Sequence, residues 1–280
     1  LLTIVAVGVS VWAMRFVEDQ FFPSSDRPEL IVDMTLAQNV SITETERQVA
    51  RFEEALRGDD DVLYWTSYVG RGAPRFILSF EGPTAAPNVA QIVIQTPGLA
   101  ARNRLRARLD ALVAEEFPGV DAFVKLLEIG PPVGRPVQYR VSGPDPIELV
   151  GHARDMAAIV AAEGRTANVV LDWNEPARLV RVEIVQDRVR LLGLTSRDIA
   201  SALNTIFAGQ SVTELRDETY LVDLRARGSD ETRTSLDALT NLQLSGTGGQ
   251  PVPLSSVAIF HWETEQPEIR QEYRMPTVTV

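Results

Sequence analysis

The chain has 280 residues, a length that indicates two or three modules rather than one small domain. Its formal net charge of −11 argues against nucleic acid as a partner, because phosphate binding needs clustered cations. It has no cysteine and two histidines, which excludes disulfides, thiolate metal sites and multi-histidine metal centres, and we expect no cofactor.

The first fourteen residues, "LLTIVAVGVSVWAM", are almost continuously apolar and are followed by Arg15. The run is shorter than the roughly 20 residues of a full membrane span, and no initiator Met precedes it. A truncated transmembrane helix is the leading interpretation; a signal-peptide core and a buried helix are the alternatives. No small-residue cleavage site follows, and Phe21 and Phe22 suit a membrane exit.

A β-α-β-β-α-β order is predicted from Glu29 onward, as in the split βαβ of ferredoxin-like domains. Ser41 and Glu44 form an S-x-x-E capping box, and Gly58 ends the helix that they start. Val49, Phe52 and Leu56 share one face of that helix. The other predicted elements are the strands "ELIVDMTL", "DVLYWTSYV", "RFILSF", "NVAQIVIQT" and "DAFVKLLEI", and a helix with Leu99, Leu105, Leu109 and Leu112 largely on one face.

The stretch "GPPVGRP" at 130–136 marks a boundary, after which the motif restarts. "VQYRVSG" is predicted as a strand, Asp145 caps a helix with Pro146 at its first position, and "TANVVLDW" is predicted as the returning strand. The second half of this unit does not follow directly. The chain ends on "MPTVTV", which suggests a discontinuous domain.

The intervening residues have a different pattern, with a short helix in "DRVRLLGL" and a second helix opened by Thr195 and Asp198. Long β-rich segments follow, "SVTELRDETYLVDLRAR" and "NLQLSGTGGQPVPLSSVAIFHWETE". The glycine-rich stretch from Gly246 to Gly249 is predicted to be a hairpin tip.

The stretch Gly70-Arg71-Gly72 is the most distinctive candidate for a site. It lacks the third glycine of a dinucleotide fingerprint, since Arg75 stands there, and it precedes a strand rather than a helix. Phosphate binding is therefore disfavoured. A hairpin connection and a flexible loop that contacts a ligand both remain open, because Trp65, Tyr68, Arg71 and Phe76 surround it.

Other candidates have plain structural interpretations. The acidic triplet Asp59 to Asp61 is predicted to be a solvated turn, and Asp172 to Glu175 a loop with a packed tryptophan. His152 and His261 are interpreted as structural. No nucleophile elbow, Walker loop or metal box is present, so the sequence does not predict an enzyme.

Three stretches resemble the large periplasmic loop of resistance–nodulation–division (RND) efflux transporters of the acriflavine-resistance and hydrophobe/amphiphile type. They are "FFPSSDRPELIVDMTL", "VQDRVRLLGLTSRDIASAL" and "QPVPLSSVAIF". The resemblance implies an α+β fold with tandem ferredoxin-like porter subdomains and an inserted docking subdomain, preceded by a truncated transmembrane helix. The first stretch and the loop at Gly70 favour the second of the family's two such loops.

The resemblance also implies a division of the chain. Residues 1–26 would be the helix end and exit segment, and 27–133 the first porter subdomain. Residues 136–175 would begin the second porter subdomain, 176–267 would be the docking subdomain, and 268–280 would resume the second porter subdomain.

For function, the resemblance implies the porter and docking region of a proton-driven multidrug or small-molecule antiporter. Such pumps are homotrimers in the inner membrane of Gram-negative bacteria, with this region in the periplasm and membrane helices flanking it. They work with a periplasmic adaptor protein and an outer-membrane channel. A stand-alone small-molecule-binding module and an enzyme on ferredoxin-like domains are the competing hypotheses.

The family's pocket positions are carried over by matching residues. Gly70-Arg71-Gly72 fall on the glycine-rich switch loop between two substrate pockets, and Tyr68 and Val69 stand where drug pumps carry phenylalanines. The substrate-binding residues implied by the resemblance are Thr35, Ala37, Tyr68, Gly70, Arg71, Gly72, Phe123, Glu128, Pro131, Asp172, Trp173 and Asn174.

Overall fold

The structure is a computed structural model that describes residues 2–16, 25–78, 80–127, 134–135, 137–166, 168–173, 176–246, 249–265 and 268–280. The chain forms two compact units. One contains residues 1–177 together with 266–280, and the other contains residues 178–265.

The first unit opens with helix α1 (Leu2–Ala13) and a short 3₁₀ turn (Met14–Phe16). The predicted exit segment with Phe21 and Phe22 lies outside the described residues. Among the described residues, no helix combines the length and the apolar character that crossing a membrane requires.

A four-stranded antiparallel sheet with two helices follows, in the predicted β-α-β-β-α-β order. Its strand order, β2-β3-β1-β4, is that of a ferredoxin-like domain, which confirms the predicted fold. The elements are β1 (Glu29–Thr35), α2 (Ile42–Leu56), β2 (Tyr64–Val69), β3 (Val89–Gln95), α3 (Leu99–Glu116) and β4 (Asp121–Leu126).

Helices α2 and α3 cover one face of this sheet. Val49, Phe52 and Leu56 of α2 are buried there, as their spacing predicts. Leu105 and Leu109 of α3 pack beside them, whereas Leu99 is 39% exposed. Alternate residues of the strands supply the rest of this core, because successive side chains of a strand point to opposite faces.

Local details of this domain differ from the predictions at two places. The described residues of "RFILSF" are not a strand; Ile77 and Phe80 pack on the sheet instead of pairing with it. Ser41 caps α2 by accepting a hydrogen bond from the Glu44 backbone. The Glu44 side chain, however, binds Arg47 and Gln48, so the reciprocal half of the predicted capping box is not formed.

The remainder of the first unit is built from two separate stretches of the chain. Helix α4 (Pro146–Ala162), capped by Asp145 as predicted, packs beside a sheet of the order β12-β13-β5. Strand β13 pairs with β5 antiparallel. The described part of "TANVVLDW" is not a strand, although it runs beside β13. The three strands are β5 (Arg140–Ser142), β12 (Gln271–Glu272) and β13 (Met275–Thr279).

The second unit has a small core of its own, in which Ile199 and Leu254 are fully buried. Thr195 and Asp198 form a complete capping box on α6, as predicted. Strands β9 and β10 pair antiparallel on either side of the predicted glycine-rich tip, whose residues 247–248 lie outside the described residues. The elements are β6 (Ala177–Ile184), α5 (Gln186–Leu191), α6 (Ser196–Phe207), β7 (Gln210–Asp217), β8 (Tyr220–Ala226), α7 (Asp230–Thr234), α8 (Leu236–Thr240), β9 (Gln243–Ser245), β10 (Pro251–Pro253), α9 (Leu254–Val257) and β11 (Ala258–Glu265).

Candidate functional site

The second face of the ferredoxin-like sheet is covered by the long connection from β2 to β3, residues 70–88, which we call the covering loop. Ala73 and Phe80 of this loop are buried against Ile31 and Leu127. The tip is open to solvent, with Leu78 86% exposed. The predicted hairpin connection is therefore real, since β2 and β3 pair antiparallel, but it is also a cover for the sheet.

Glycines shape the neck of the covering loop. Gly70 has φ +76, a left-handed conformation that favours glycine, and a Cβ there would lie 2.8 Å from Ile42 Cδ1. At Gly72 a Cβ would lie 2.9 Å from the Cα of Gly82, closer than real Cβ atoms come to backbone. The two arms of the loop thus come together at Gly72 with no room for a side chain there.

A polar path links the covering loop to the sheet. The side-chain oxygen Oε1 of Gln91 accepts a hydrogen bond from the Ala73 backbone N–H at 2.8 Å, and its Nε2 donates to Asp33 Oδ1 at 2.6 Å. Lys125 pairs with the other oxygen of Asp33. Polar groups in a largely apolar setting require such partners, and here each has one.

The ion pair between Asp33 and Lys125 faces a cavity of about 150 Å³. The cavity combines aromatic and aliphatic surface with charges of both signs. Its lining includes Asp33, Lys125, Glu81, Arg135, Phe80 and Phe123. Apolar walls with a few placed polar groups are typical of sites for small organic molecules.

A larger cavity, of about 490 Å³, lies in the same unit between α3, β4 and the residues around α4 and β5. Arg135 contributes to both cavities; its guanidinium carbon stands 4.9 Å from the centre of the Phe123 ring, and it also pairs with Asp121. The lining of the larger cavity includes Arg106, Asp110, Phe123, Arg135, Tyr139 and Arg165.

Two carboxyls are shifted toward their neutral form: Asp110, which lines the larger cavity, and Asp121, which pairs with the lining residue Arg135. Burial raises the pKa of Asp121 above its usual range, and the positive charge of Arg135 opposes this shift. Burial also raises the pKa of Asp110, while Arg106, 3.7 Å away, opposes it. Both carboxyls are therefore easier to protonate than free aspartates.

Predicted site residues of the ferredoxin-like domain gather at this face. Tyr68, Gln91, Asp33 and Phe123 form one row across the four strands, through the pairs Tyr68–Gln91, Gln91–Asp33 and Asp33–Phe123. The structure brings the predicted Tyr68 and Phe123 onto one face with the covering loop.

The other predicted positions of this domain lie near the loop neck and the end of β1. Gly70 and Gly72 are half-buried, whereas Arg71 is exposed. Thr35 ends β1, opposite Val89, and Ala37 lies exposed in the turn that follows.

Asp172 and Trp173 have a different setting. The indole Nε1 of the buried Trp173 donates to the Thr277 carbonyl at 2.9 Å, and Asp172 Oδ1 accepts from the Thr279 N–H at 2.7 Å. These contacts fasten residues 172–173 to β13. The predicted positions Glu128, Pro131 and Asn174 lie outside the described residues.

Sequence reasoning missed Gln91, Asp33 and Lys125. The available signal was a single polar residue inside each of two apolar strands, "ELIVDMT" and "VAQIVIQ", because such a residue needs a buried partner. Which residues are partners depends on strand register, and the sequence does not display the register.

The acidic triplet lies in a turn with Asp60 exposed, as predicted, but it differs from the prediction at Asp61. Asp61 is buried rather than solvated, and Arg104 and Arg108 of α3 pair with it. These arginines hold the pKa of Asp61 below its usual range. The described part of the chain contains no group of three or more His, Cys, Asp or Glu side chains placed to hold a metal ion.

The histidines lie at the surface. His152 is exposed on α4. His261 is exposed on β11, where its Nε2 stands 3.1 Å from Glu183 Oε2. Neither lines the described cavities of the first unit.

The fold is the mixed α+β architecture of the periplasmic porter domains of RND transporters, with several small antiparallel sheets. A family model described as the AcrB/AcrD/AcrF family matches residues 1–280, and the chain belongs to this family. The resemblance to RND transporters is thereby confirmed. The family is one of transporters, not of enzymes.

Two solved structures share the fold. Both are X-ray crystal structures of a heavy metal efflux pump, in crystal forms I and II, with 18% and 17% sequence identity and a TM-score of 0.75 each. Each match covers 99% of this chain and 30% of the solved chain. The chain therefore spans less than a third of the length of these pumps.

Proposed function

We propose that this chain is the periplasmic porter and docking region of a proton-driven RND efflux transporter that exports small molecules. The observation that carries the proposal is the family match over residues 1–280, together with a shared fold over 99% of the chain. The family identity makes transport the activity to test in the complete protein.

The division into subdomains is part of the proposal. Residues 27–133 would be the first porter subdomain, and 136–175 with 268–280 the second; the pairing of β13 with β5 supports joining the last two. Residues 176–267 would be the docking subdomain, which is supported by the separate unit at 178–265.

The assembly follows from the family. We expect a homotrimer in the inner membrane of a Gram-negative bacterium, with this region in the periplasm, in contact with an adaptor protein and an outer-membrane channel. Membrane segments of the complete transporter would supply the coupling to protons. The chain would contribute substrate cavities and movable parts, and rigid-body shifts of packed domains are an established way to alternate access.

We propose an amphipathic organic molecule as the cargo. Phe80, Phe123 and Tyr139 supply flat apolar surface to the two cavities of the first unit, and Lys125 and Arg135 supply charge. The solved pumps of the same fold are described as heavy metal efflux pumps, so metal ions are the cargo to test against.

The test is a susceptibility panel. The full-length gene is expressed in a Gram-negative strain that lacks its own RND pumps, and growth is measured with organic dyes, detergents and antibiotics, and separately with copper, silver and zinc salts. Raised tolerance to organic compounds supports the proposal. Raised tolerance to metal salts alone would show that metal ions, not organic molecules, are the cargo. Unchanged tolerance to both groups of compounds would contradict the export function.

The covering loop is proposed to act as the switch between two pockets. Gly70→Pro forces a φ near −65° where the chain has +76°, so we expect reduced export at unchanged membrane expression. Gly119→Pro is the matched control, because Gly119 also has a positive φ, +86, and lies in the turn before β4, outside the loop. Normal tolerance in the Gly70 variant would contradict the switch role.

A further inference from the structure

We propose that Gln91 is a positioning residue that seats the covering loop on the sheet, and that the ion pair of Asp33 and Lys125 sets its orientation. All the groups that seat the loop belong to this chain. Its importance for export rests on the proposed function. As a consequence, a change at the 150 Å³ cavity is transmitted to the covering loop through Asp33 and Gln91.

Gln91 is well placed to hold the loop. Its side chain is fully buried at the centre of the row across the sheet, and its Oε1 accepts the Ala73 N–H at 2.8 Å. Of the described loop residues 71–78 and 80–85, Ala73 is the one that hydrogen-bonds to the sheet. The remaining backbone hydrogen bonds that attach the loop lie at its two ends, such as Gly70 N–H to the Val89 carbonyl.

The orientation of the Gln91 amide is imposed by Asp33. An ionised carboxylate only accepts hydrogen bonds, so Gln91 must turn its NH₂ group toward Asp33. The amide oxygen then points to the Ala73 N–H, which needs an acceptor. If the Gln91 amide were flipped, its oxygen would face the Asp33 carboxylate and its NH₂ group would face the Ala73 N–H. Neither contact would then be a hydrogen bond.

Lys125 completes the arrangement. It pairs with Oδ2 of Asp33, while Oδ1 accepts from Gln91. Both members of the ion pair line the cavity, together with Phe80 from the covering loop itself. A charged group that binds there competes for Lys125 or for Asp33, and the change reaches the Ala73 N–H through Gln91.

The seating is measured by thiol labelling. The 280 residues contain no cysteine, so Ala73→Cys introduces one reporter into the full-length protein, from which any cysteine elsewhere is replaced. Ala73 is 9% exposed, and a maleimide reaches the thiol only when the loop lifts. We expect Gln91→Met to raise the labelling rate about tenfold, since it leaves the Ala73 N–H without its partner.

Gln95→Met is the matched control. Gln95 lies on the same strand and the same face, four residues further on, and pairs with Tyr64 and Glu29 outside the loop. We expect its labelling rate to equal that of the reporter alone. An unchanged rate in Gln91→Met, or an equal rise in both variants, would overturn the proposal.

A double variant that exchanges the amide of Gln91 and the carboxylate of Asp33 separates the effect of hydrogen bonding from that of packing. In Gln91→Glu, two carboxylates face each other and labelling should accelerate. Adding Asp33→Asn restores a donor at position 33, and the new carboxylate at position 91 can accept from both sides. We expect the double variant to return to within about threefold of the reporter alone. If the two substitutions instead raise the labelling rate additively, the proposal is overturned.

Lys125→Met imitates a ligand that takes the lysine away. We expect a rise in labelling of about threefold, because Asp33 keeps its bond to Gln91 but loses the cation that fixes it. No rise would overturn the link from cavity to loop. Labelling is read on purified protein, so these outcomes do not depend on export. If the labelling changes occur as expected but the natural full-length protein exports nothing, that result counts against the proposed function alone.

Discussion

The two faces of the ferredoxin-like sheet are built from the same strands but are covered in different ways. On one face, α2 and α3 pack apolar side chains, with Phe52 and Leu105 fully buried. On the other face, an irregular loop is seated through a buried amide next to a cavity. Because side chains alternate along each strand, one sheet can carry a packed core on one face and an adjustable cover on the other.

The largest expected effect is on the helix-covered face. Phe52→Ala removes a fully buried ring that packs 5.8 Å from the ring of Phe117, and we expect a loss of about 3–5 kcal/mol in the free energy of unfolding. Urea unfolding followed by tryptophan fluorescence measures it. Phe76→Ala, at a ring 44% exposed on the covering loop, is the control and should cost less than about 1 kcal/mol. Equal losses would erase the difference between the faces.

A smaller effect is expected at the loop neck. Gly72→Ala places a Cβ against Gly82 and Pro83, and we expect a cost of about 1–3 kcal/mol that is confined to the loop. Hydrogen exchange should accelerate in residues 73–86 and stay unchanged in α2. Gly151→Ala, where nothing lies within 4 Å, is the control and should leave the loop as it is. Faster exchange in α2 would show that the two faces are not independent.

Low pH is expected to weaken the ion pairs of Asp61 with α3, on the helix-covered side of the sheet. Arg104 and Arg108 lower the pKa of Asp61, so the folded state favours the ionised carboxylate. This stabilisation is complete above the ordinary aspartate pKa of about 3.9 and is lost as the pH falls through the lowered value. The urea midpoint should therefore drop over that range in the natural chain and drop less in Asp61→Asn. Identical pH profiles would contradict the assignment.

The smallest effect is expected at the loop tip. Leu78→Ser changes a side chain that is 86% exposed, and we expect a shift within about 0.5 kcal/mol in the free energy of unfolding. A thermal melt is sufficient to measure it. A larger loss would mean that the tip is part of the packed cover.

The sequence predicted the ferredoxin-like order because its helix faces and caps are local signals. Val49, Phe52 and Leu56 reach one core through helical spacing alone. "RFILSF" has strand composition but pairs with no strand in the described residues, and its apolar side chains serve packing instead. The strand predicted for "TANVVLDW" is likewise not formed in the described residues, since this stretch is hydrogen-bonded to β13 mainly through Asp172.

The candidate site was predictable only in part. The glycines and Tyr68 stand out in the sequence, because Gly70 and Gly72 directly follow a strand rich in aromatic residues. Gln91 and Asp33 are 58 residues apart, and only the register of β1 and β3 brings them together. A resemblance can therefore indicate the loop, while the bond that seats it is a property of three-dimensional pairing.

The contact between Gly72 and Gly82 makes the covering loop an Ω-shaped excursion with a closed neck. Because the neck is closed, we expect a change at the exposed Leu78 not to move β2 or β3, whereas the neighbouring Ile77 packs on the sheet. The entropy of a longer loop rises only slowly with its length. A peptide tag inserted at Leu78 would therefore give access to the loop from outside.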